Sequence, residues 1–232
     1  MLDFDYGYFS AVYRRQQPLS TIPWRALSPA ASRPVPGGGV RPMTNTGAPS
    51  TPLAKTIVLI GLMGAGKSSI GRRLAKRFAM KFADADDEVA KAAGCSIEDI
   101  FETYGEAAFR DGERKVIFRL LDGEPRVLAT GGGAFMDPLT RARITERGIS
   151  IWLRADLDIL VRRTHRRGGR PLLKNTDQRA TLAALIDERY GVYAEADIVV
   201  DTSDESAEKT TERVLKAIGA FLKAAPAAGR MP

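Results

Sequence analysis

The 232-residue sequence holds one cysteine and one histidine. No internal disulfide can form, and Cys95 has no neighbouring Cys or His at a metal-ligand spacing. A lone cysteine fits a reducing compartment, and the expectation is a cytoplasmic chain. His165, standing alone among basic residues, leaves a His-based metal site or a Ser-His-Asp triad little to work with. No run reaches the ~18 apolar residues of a membrane-spanning helix, and none supplies the apolar core of a secretory signal. Acids are missing between Arg162 and Lys174, where Arg162, Arg163, Arg166, Arg167, Arg170 and Lys174 follow one another. Aromatics are missing there too, which argues against a stacking platform for nucleic acid. Neither a membrane nor a nucleic acid is expected as a partner. No heptad seam is evident either, so a monomer is the default.

What is present is ordinary in bulk. Hydrophobic residues make up 44% and charged residues 27%, and 35 basic against 28 acidic side chains leave a net charge of +7. That composition excludes collagen, a mucin stalk and a wholly disordered chain. Its distribution divides the sequence. Residues 1–54 carry eight of the thirteen prolines and the run Gly37-Gly38-Gly39, so regular structure is interrupted repeatedly and a disordered tail is expected. Asp3 and Asp5 count against a transit peptide, and Met43 would also serve as a start for the folded part. Residues 55–224 alternate strand-like and helix-like segments. Strands are predicted at 56–60, 81–83, 126–130, 150–153 and 197–200. Helices are predicted at 68–79, 87–93, 96–103, 106–121, 138–147, 156–163, 177–193 and 204–223. Such alternation implies an α/β fold, a central parallel five-stranded sheet flanked by helices. Residues 225–232 read as a short C-terminal tail.

The strongest local signal is Gly61-Leu62-Met63-Gly64-Ala65-Gly66-Lys67-Ser68, which fits G-x-x-x-x-G-K-[ST]. It follows an apolar β-branched run and opens a predicted helix, the context that gives the spacing meaning. Gly61, Gly64, Ala65 and Gly66 would wrap backbone N–H groups around phosphate, helped by the helix N-terminus that Ser69 continues. Lys67 would neutralise the β- and γ-phosphates, and the Ser68 hydroxyl would face Mg²⁺. The strand at 126–130 ends in Gly131-Gly132-Gly133 rather than in an acid. The nearest strand-ending acids are Asp84 and Asp86, one suited to the metal and the other to the acceptor. No guanine-reading N-K-x-D is present.

With these residues in order, the sequence resembles the shikimate kinase family of small-molecule P-loop kinases. The resemblance runs from about Thr56 to about Leu222. It is carried by the GLMGAGKS loop, Phe82-Ala83-Asp84-Ala85-Asp86, the segment EAAFRDGE from Glu106 to Glu113, Gly131-Gly132-Gly133-Ala134, Arg170-Pro171-Leu172-Leu173 and Glu188-Arg189-Tyr190. It implies a three-layer P-loop kinase fold with a mobile lid at about 163–175, and ATP and shikimate as substrates with Mg²⁺ as cofactor. It assigns Arg110 and Arg189 to the shikimate carboxylate and the glycines at 131–133 to a further substrate contact. Asp86 goes to the acceptor hydroxyls, Asp84 with Ser68 to the metal, and Arg170 to the transferring phosphate. Arg163 and Thr164 match the pair lying against adenine. Glu113, three residues after Arg110, is placed to hold that guanidinium's aim. One departure stands out: the loop Asp201 to Ser206, where relatives carry basic or proline-containing sequence near adenine, is acidic here. A gluconate or nucleoside monophosphate kinase would share the cradle and lid, but not the FRDGE arginine, the triple glycine and the ERY arginine together.

Overall fold

A computed structural model of the chain describes residues 53–165 and 177–224. Residues 1–52 of the expected N-terminal tail, the expected tail at 225–232, and residues 166–175 of the expected lid, with Arg170, lie outside the described residues. Strand β1 (Thr56–Ile60) is buried along its whole length, which is why it reads as an unbroken apolar run rather than an alternating one. Helix α1 (Lys67–Phe78) follows, with Ile70, Leu74 and Ala75 on its buried side. Then come β2 (Lys81–Asp84), α2 (Ala85–Ala93) and α3 (Ile97–Asp122). A capping box between Ser96 and Asp99 starts α3. The helical run is broken at Gly105, where φ 79 and ψ 174 are open to glycine alone. The kink at Gly105 divides α3 into the two helical stretches that the sequence predicts at 96–103 and 106–121.

The second half holds β3 (Arg126–Ala129), a 3₁₀ turn (Ala134–Met136), α4 (Pro138–Arg147), β4 (Gly148–Ala155) and α5 (Leu157–His165). It ends with α6 (Gln178–Tyr193), β5 (Ile198–Thr202) and α7 (Ala207–Ala224). Strand β4 begins two residues before its predicted start because Gly148 pairs with Thr56 of β1. Strand β5 continues past Val200 because Asp201 and Thr202 stay in register with Arg154 and Ala155 of β4.

The five strands lie in the order β2-β3-β1-β4-β5, and all pairings are parallel. The crossover from β1 to β2 runs outward past β3, and every later one runs back across the sheet. Right-handed crossovers therefore put α1 on one face and α2 to α6 on the other. Helix α7 returns to pack on α1 and β5, while α3 packs on α4. Val58, Leu59, Leu128, Ile151 and Leu153 have no exposed surface, and each such side chain contributes about 1.5–3 kcal/mol on burial. A parallel sheet ends all its strands on one edge, and loops leaving that edge form the usual crevice for ligands. Among the described residues no helix is long and apolar enough to cross a membrane.

Candidate active site

The loop from Gly61 to Gly66 leaves the carboxyl end of β1 and turns into α1. Gly66 stands at the helix N-cap with φ 100, so no side chain occupies the free N–H donors there. The first turn of α1 holds no acid to compete with an anion. Lys67 Nζ donates to the carbonyls of Gly61 at 2.7 Å and Leu62 at 3.0 Å, which folds the ammonium back over the loop. Ser69 belongs to the same first turn, and its Oγ accepts from Arg73 at 2.9 Å. Ser68 Oγ donates to Asp84 Oδ2 at 2.7 Å. Asp84 ends β2 and also caps α2, its other oxygen accepting from the Asp86 backbone N–H at 3.3 Å. Facing a metal and capping a helix are thus geometrically compatible in this one carboxylate.

The other wall is built where β3 ends. Gly131, Gly132 and Gly133 form a turn against which four charged side chains lie flat. A methyl on Gly131 would stand 2.4 Å from Glu113 Oε1 and 3.0 Å from Asp86 Oδ1. One on Gly133 would stand 2.5 Å from Arg110 Nη1, and one on Gly132 would stand 3.5 Å from Arg189 Nη1 and 3.8 Å from the Gly61 carbonyl. Close approach of side chains, not looseness of the turn, accounts for the glycines at 131 and 133. The triple glycine thus gathers Asp86 from α2, Arg110 and Glu113 from α3 and Arg189 from α6 beside the start of the phosphate loop.

Arg110 is fixed from two sides. Its Nη1 donates to Glu113 Oε2 at 2.8 Å, and its Nη2 to Glu106 Oε1 at 3.2 Å. Its guanidinium also stands 5.1 Å from the centre of the Phe109 ring. Glu113 is almost wholly buried, and its Oε1 has no hydrogen-bond partner among the described residues. Burial pushes the Glu113 carboxyl above the ordinary glutamate range. Arg110 and, more weakly, Arg189 pull it back, and Asp86 adds to the rise. Burial disfavours the Arg110 guanidinium's charge, and Glu113 and Glu106 outweigh that cost, so its pKa is raised on balance; Arg110 and Arg189 both stand beside the glycine turn.

On the far side of the glycine-rich loop, Arg163 Nη2 donates to the Ser203 carbonyl at 2.6 Å and Nη1 to the Gly64 carbonyl at 3.4 Å. A shallow hollow there is lined by Gly64, Gly66, Ser69, Arg163 and Glu205 among others. Thr164 is buried; its hydroxyl donates to Leu160 O at 2.6 Å and accepts from Gln178 Nε2 at 2.6 Å. That bond ties α5 to α6.

The family model described as Shikimate kinase matches residues 63–219. The chain belongs to the shikimate kinase family. The shikimate kinase of Paramagnetospirillum magneticum is 57% identical over 170 residues, covering 73% of this chain and 87% of its own length. That of Rhodopseudomonas palustris is 54% identical over 172 residues, covering 74% and 85%. Among solved structures, shikimate kinase from Acinetobacter baumannii in complex with shikimate superposes with a TM-score of 0.70 at 34% identity. It covers 73% of this chain and 95% of that one. The Aquifex aeolicus shikimate kinase gives 0.63 at 31% identity, covering 73% and 99%.

Within this shikimate kinase fold two sequence expectations change. The acidic loop after the last strand is shorter than expected, because Asp201 is paired across the sheet with Arg154 and Thr202 is buried. Only Ser203 to Ser206 is left as a loop, and Glu205 there is ion-paired with Arg213. The sequence motifs also pass over Tyr193, whose hydroxyl donates to the Gly132 carbonyl. A signal for it exists: it stands four residues after Arg189, on the same helix face.

Proposed function

We propose that this shikimate kinase family member transfers the γ-phosphoryl group of ATP to the 3-hydroxyl of shikimate, giving shikimate 3-phosphate and ADP. One observation carries the reading. The triple glycine brings Arg110, Arg189 and Asp86 together around one short turn, and that turn lies beside the Gly61 carbonyl at the start of the phosphate loop. Two guanidinium groups suit one carboxylate, and an aspartate beside them suits the hydroxyls of the same small molecule.

Phosphoryl transfer runs through a loose transition state, so placement and charge neutralisation account for most of the catalysis. The backbone of Gly61 to Gly66 and the α1 N-terminus hold the phosphates, with Arg163 and Thr164 against the base. Lys67 leaves the carbonyls of Gly61 and Leu62 for the γ-phosphate, and Arg170 reaches it from the lid. Arg110, Arg189 and the glycines at 131–133 fix the acceptor. Asp86 accepts a hydrogen bond from the 3-hydroxyl and takes its proton as the new O–P bond forms and ADP departs. Mg²⁺ fits the donor set. Ser68 and Asp84 offer two hard oxygens 2.7 Å apart, and an ion that keeps several waters and phosphate oxygens needs few protein ligands. Among the described residues no group of three His, Cys, Asp or Glu could hold a metal by itself. When bound, Mg²⁺ supplies charge neutralisation on the phosphates. Both substrate sites come from one chain, consistent with a monomer acting in the cytoplasm.

The test is ADP release with ATP and Mg²⁺ in the presence of shikimate, gluconate, CMP or no acceptor. Turnover with shikimate alone is expected. Arg110→Ala should raise the shikimate KM by roughly a hundredfold, the worth of a lost bidentate charged contact, with the ATP KM little changed. Turnover with another acceptor, or hydrolysis that ignores all three, would overturn the reading.

A further inference from the structure

The triple glycine is held from behind as well as lined from in front. The carbonyls of Gly131 and Gly133 accept from Ala134 and Met136 within the same turn. The Gly132 carbonyl instead accepts from Tyr193 Oη, at the end of α6. Tyr193 has no exposed surface. Arg189, one helical turn earlier on the same face, brings its guanidinium beside the same glycine and its charge to bear on the same phenol. The phenol thus gives its one proton to the glycine turn and leaves its oxygen lone pairs on the side of the guanidinium. Its ring is fixed by edge contacts with Phe135 at 6.4 Å and Trp152 at 5.9 Å. Arg189's contact with Glu188 is long, 3.4 Å, and Glu188 is exposed, so the buried tyrosine is the firmer of the two supports. Burial keeps the phenol protonated, its pKa pushed up to about 12.

We propose that Tyr193 is a positioning residue for acceptor recognition, its hydroxyl setting the Gly132 peptide and the Arg189 guanidinium in one fixed relation. It acts through those two groups, not on the substrate. The α6 wall and the glycine wall of the hollow are then registered to each other by one oxygen atom. The inference rests on the shikimate reading of the site.

Tyr193→Phe keeps the ring and its edge contacts and removes only that oxygen. With both substrates varied, the shikimate KM is expected to rise roughly tenfold, while kcat and the ATP KM stay within about twofold. Leu182→Ala serves as the control for loosened packing. Leu182 is fully buried on the same helix, about 16 Å along the axis from Tyr193. It should lower Tm at least as far as Tyr193→Phe and leave the shikimate KM within about twofold. In an Arg189→Lys background the further effect of Tyr193→Phe should shrink, because part of what the hydroxyl aims is already lost. An unchanged shikimate KM in Tyr193→Phe would overturn the proposal. So would a joint rise of both KM values, or an equal rise in Leu182→Ala. A wild-type chain that does not phosphorylate shikimate would overturn the underlying reading and this inference with it. Shikimate turnover with an indifferent Tyr193→Phe would overturn the inference alone.

Discussion

A methyl group added at Gly133 would meet only the far end of the Arg110 side chain, 2.5 Å away at Nη1. A flexible side chain can swing aside, so Gly133→Ala should cost little stability. The guanidinium would nevertheless leave its place between Glu113 and Glu106. The expected result is a shikimate KM raised roughly tenfold or more with Tm nearly unchanged, read by steady-state kinetics and thermal melts. Tyr193 makes a different prediction. Its folded pKa of about 12 lies above the ~10 of an unfolded tyrosine. Between those values the unfolded chain releases a proton that the folded chain keeps. The contribution is therefore complete below about pH 10 and is lost as pH rises toward 12, at ~1.4 kcal/mol for each pH unit crossed. Urea melts at pH 9 and pH 11 should show wild type losing more stability over that interval than Tyr193→Phe. Single residues were unevenly legible in the sequence. Arg110, Glu113 and Asp86 were found through short spacings and a family pattern. Tyr193 was missed because its i+4 spacing from Arg189 marks only a shared helix face, while its bond goes to Gly132, sixty-one positions away.

Helices and strands were read well where the sequence punctuates them. The run ending at Gly61, the capping box at Ser96 and the glycine at 105 each carry a local physical cause. Element ends were read less well where a partner strand decides them. Strand β5 gains Asp201 because Arg154 of β4 reaches across to it, and β4 gains Gly148 because Thr56 stands opposite. The 3₁₀ turn at Ala134–Met136 left no periodic trace, being a single turn. Gly105 and Gly219 show how the same residue type means different things in different elements. At Gly105, φ is 79 and no atom would touch an added methyl, so the cost of Gly105→Ala is conformational: about 1–3 kcal/mol. At Gly219, inside α7, the φ is ordinary and the space is again open. Gly219→Ala should therefore stabilise by about 0.5–1 kcal/mol. Chemical denaturation of both variants checks the opposite signs.

Across the whole molecule, the two proposed ligand sites lie at the carboxyl edge of one sheet but draw on different elements. The phosphate cradle uses β1 and α1, whereas the acceptor hollow uses α2, α3, α6 and the turn after β3. Ligand binding should stabilise the fold by mass action, about 2.7 kcal/mol at a hundredfold excess over Kd. ADP with Mg²⁺ should raise Tm in wild type and in Arg110→Ala alike, while shikimate should raise it in wild type only; differential scanning fluorimetry separates the two. The strand order was not legible, because pairing of non-consecutive strands is fixed by crossover geometry and not by any short stretch of sequence. That order has a consequence for how the chain is made. Strands β1 and β2 are neighbours in sequence but not in the sheet, where β3 lies between them. A chain growing from its N-terminus exposes both of them about forty residues before β3 is synthesised. The Ser68–Asp84 contact must therefore wait for a strand that does not yet exist. Any direct pairing of β1 with β2 in that interval fills the slot β3 needs and has to come apart before a working enzyme can form.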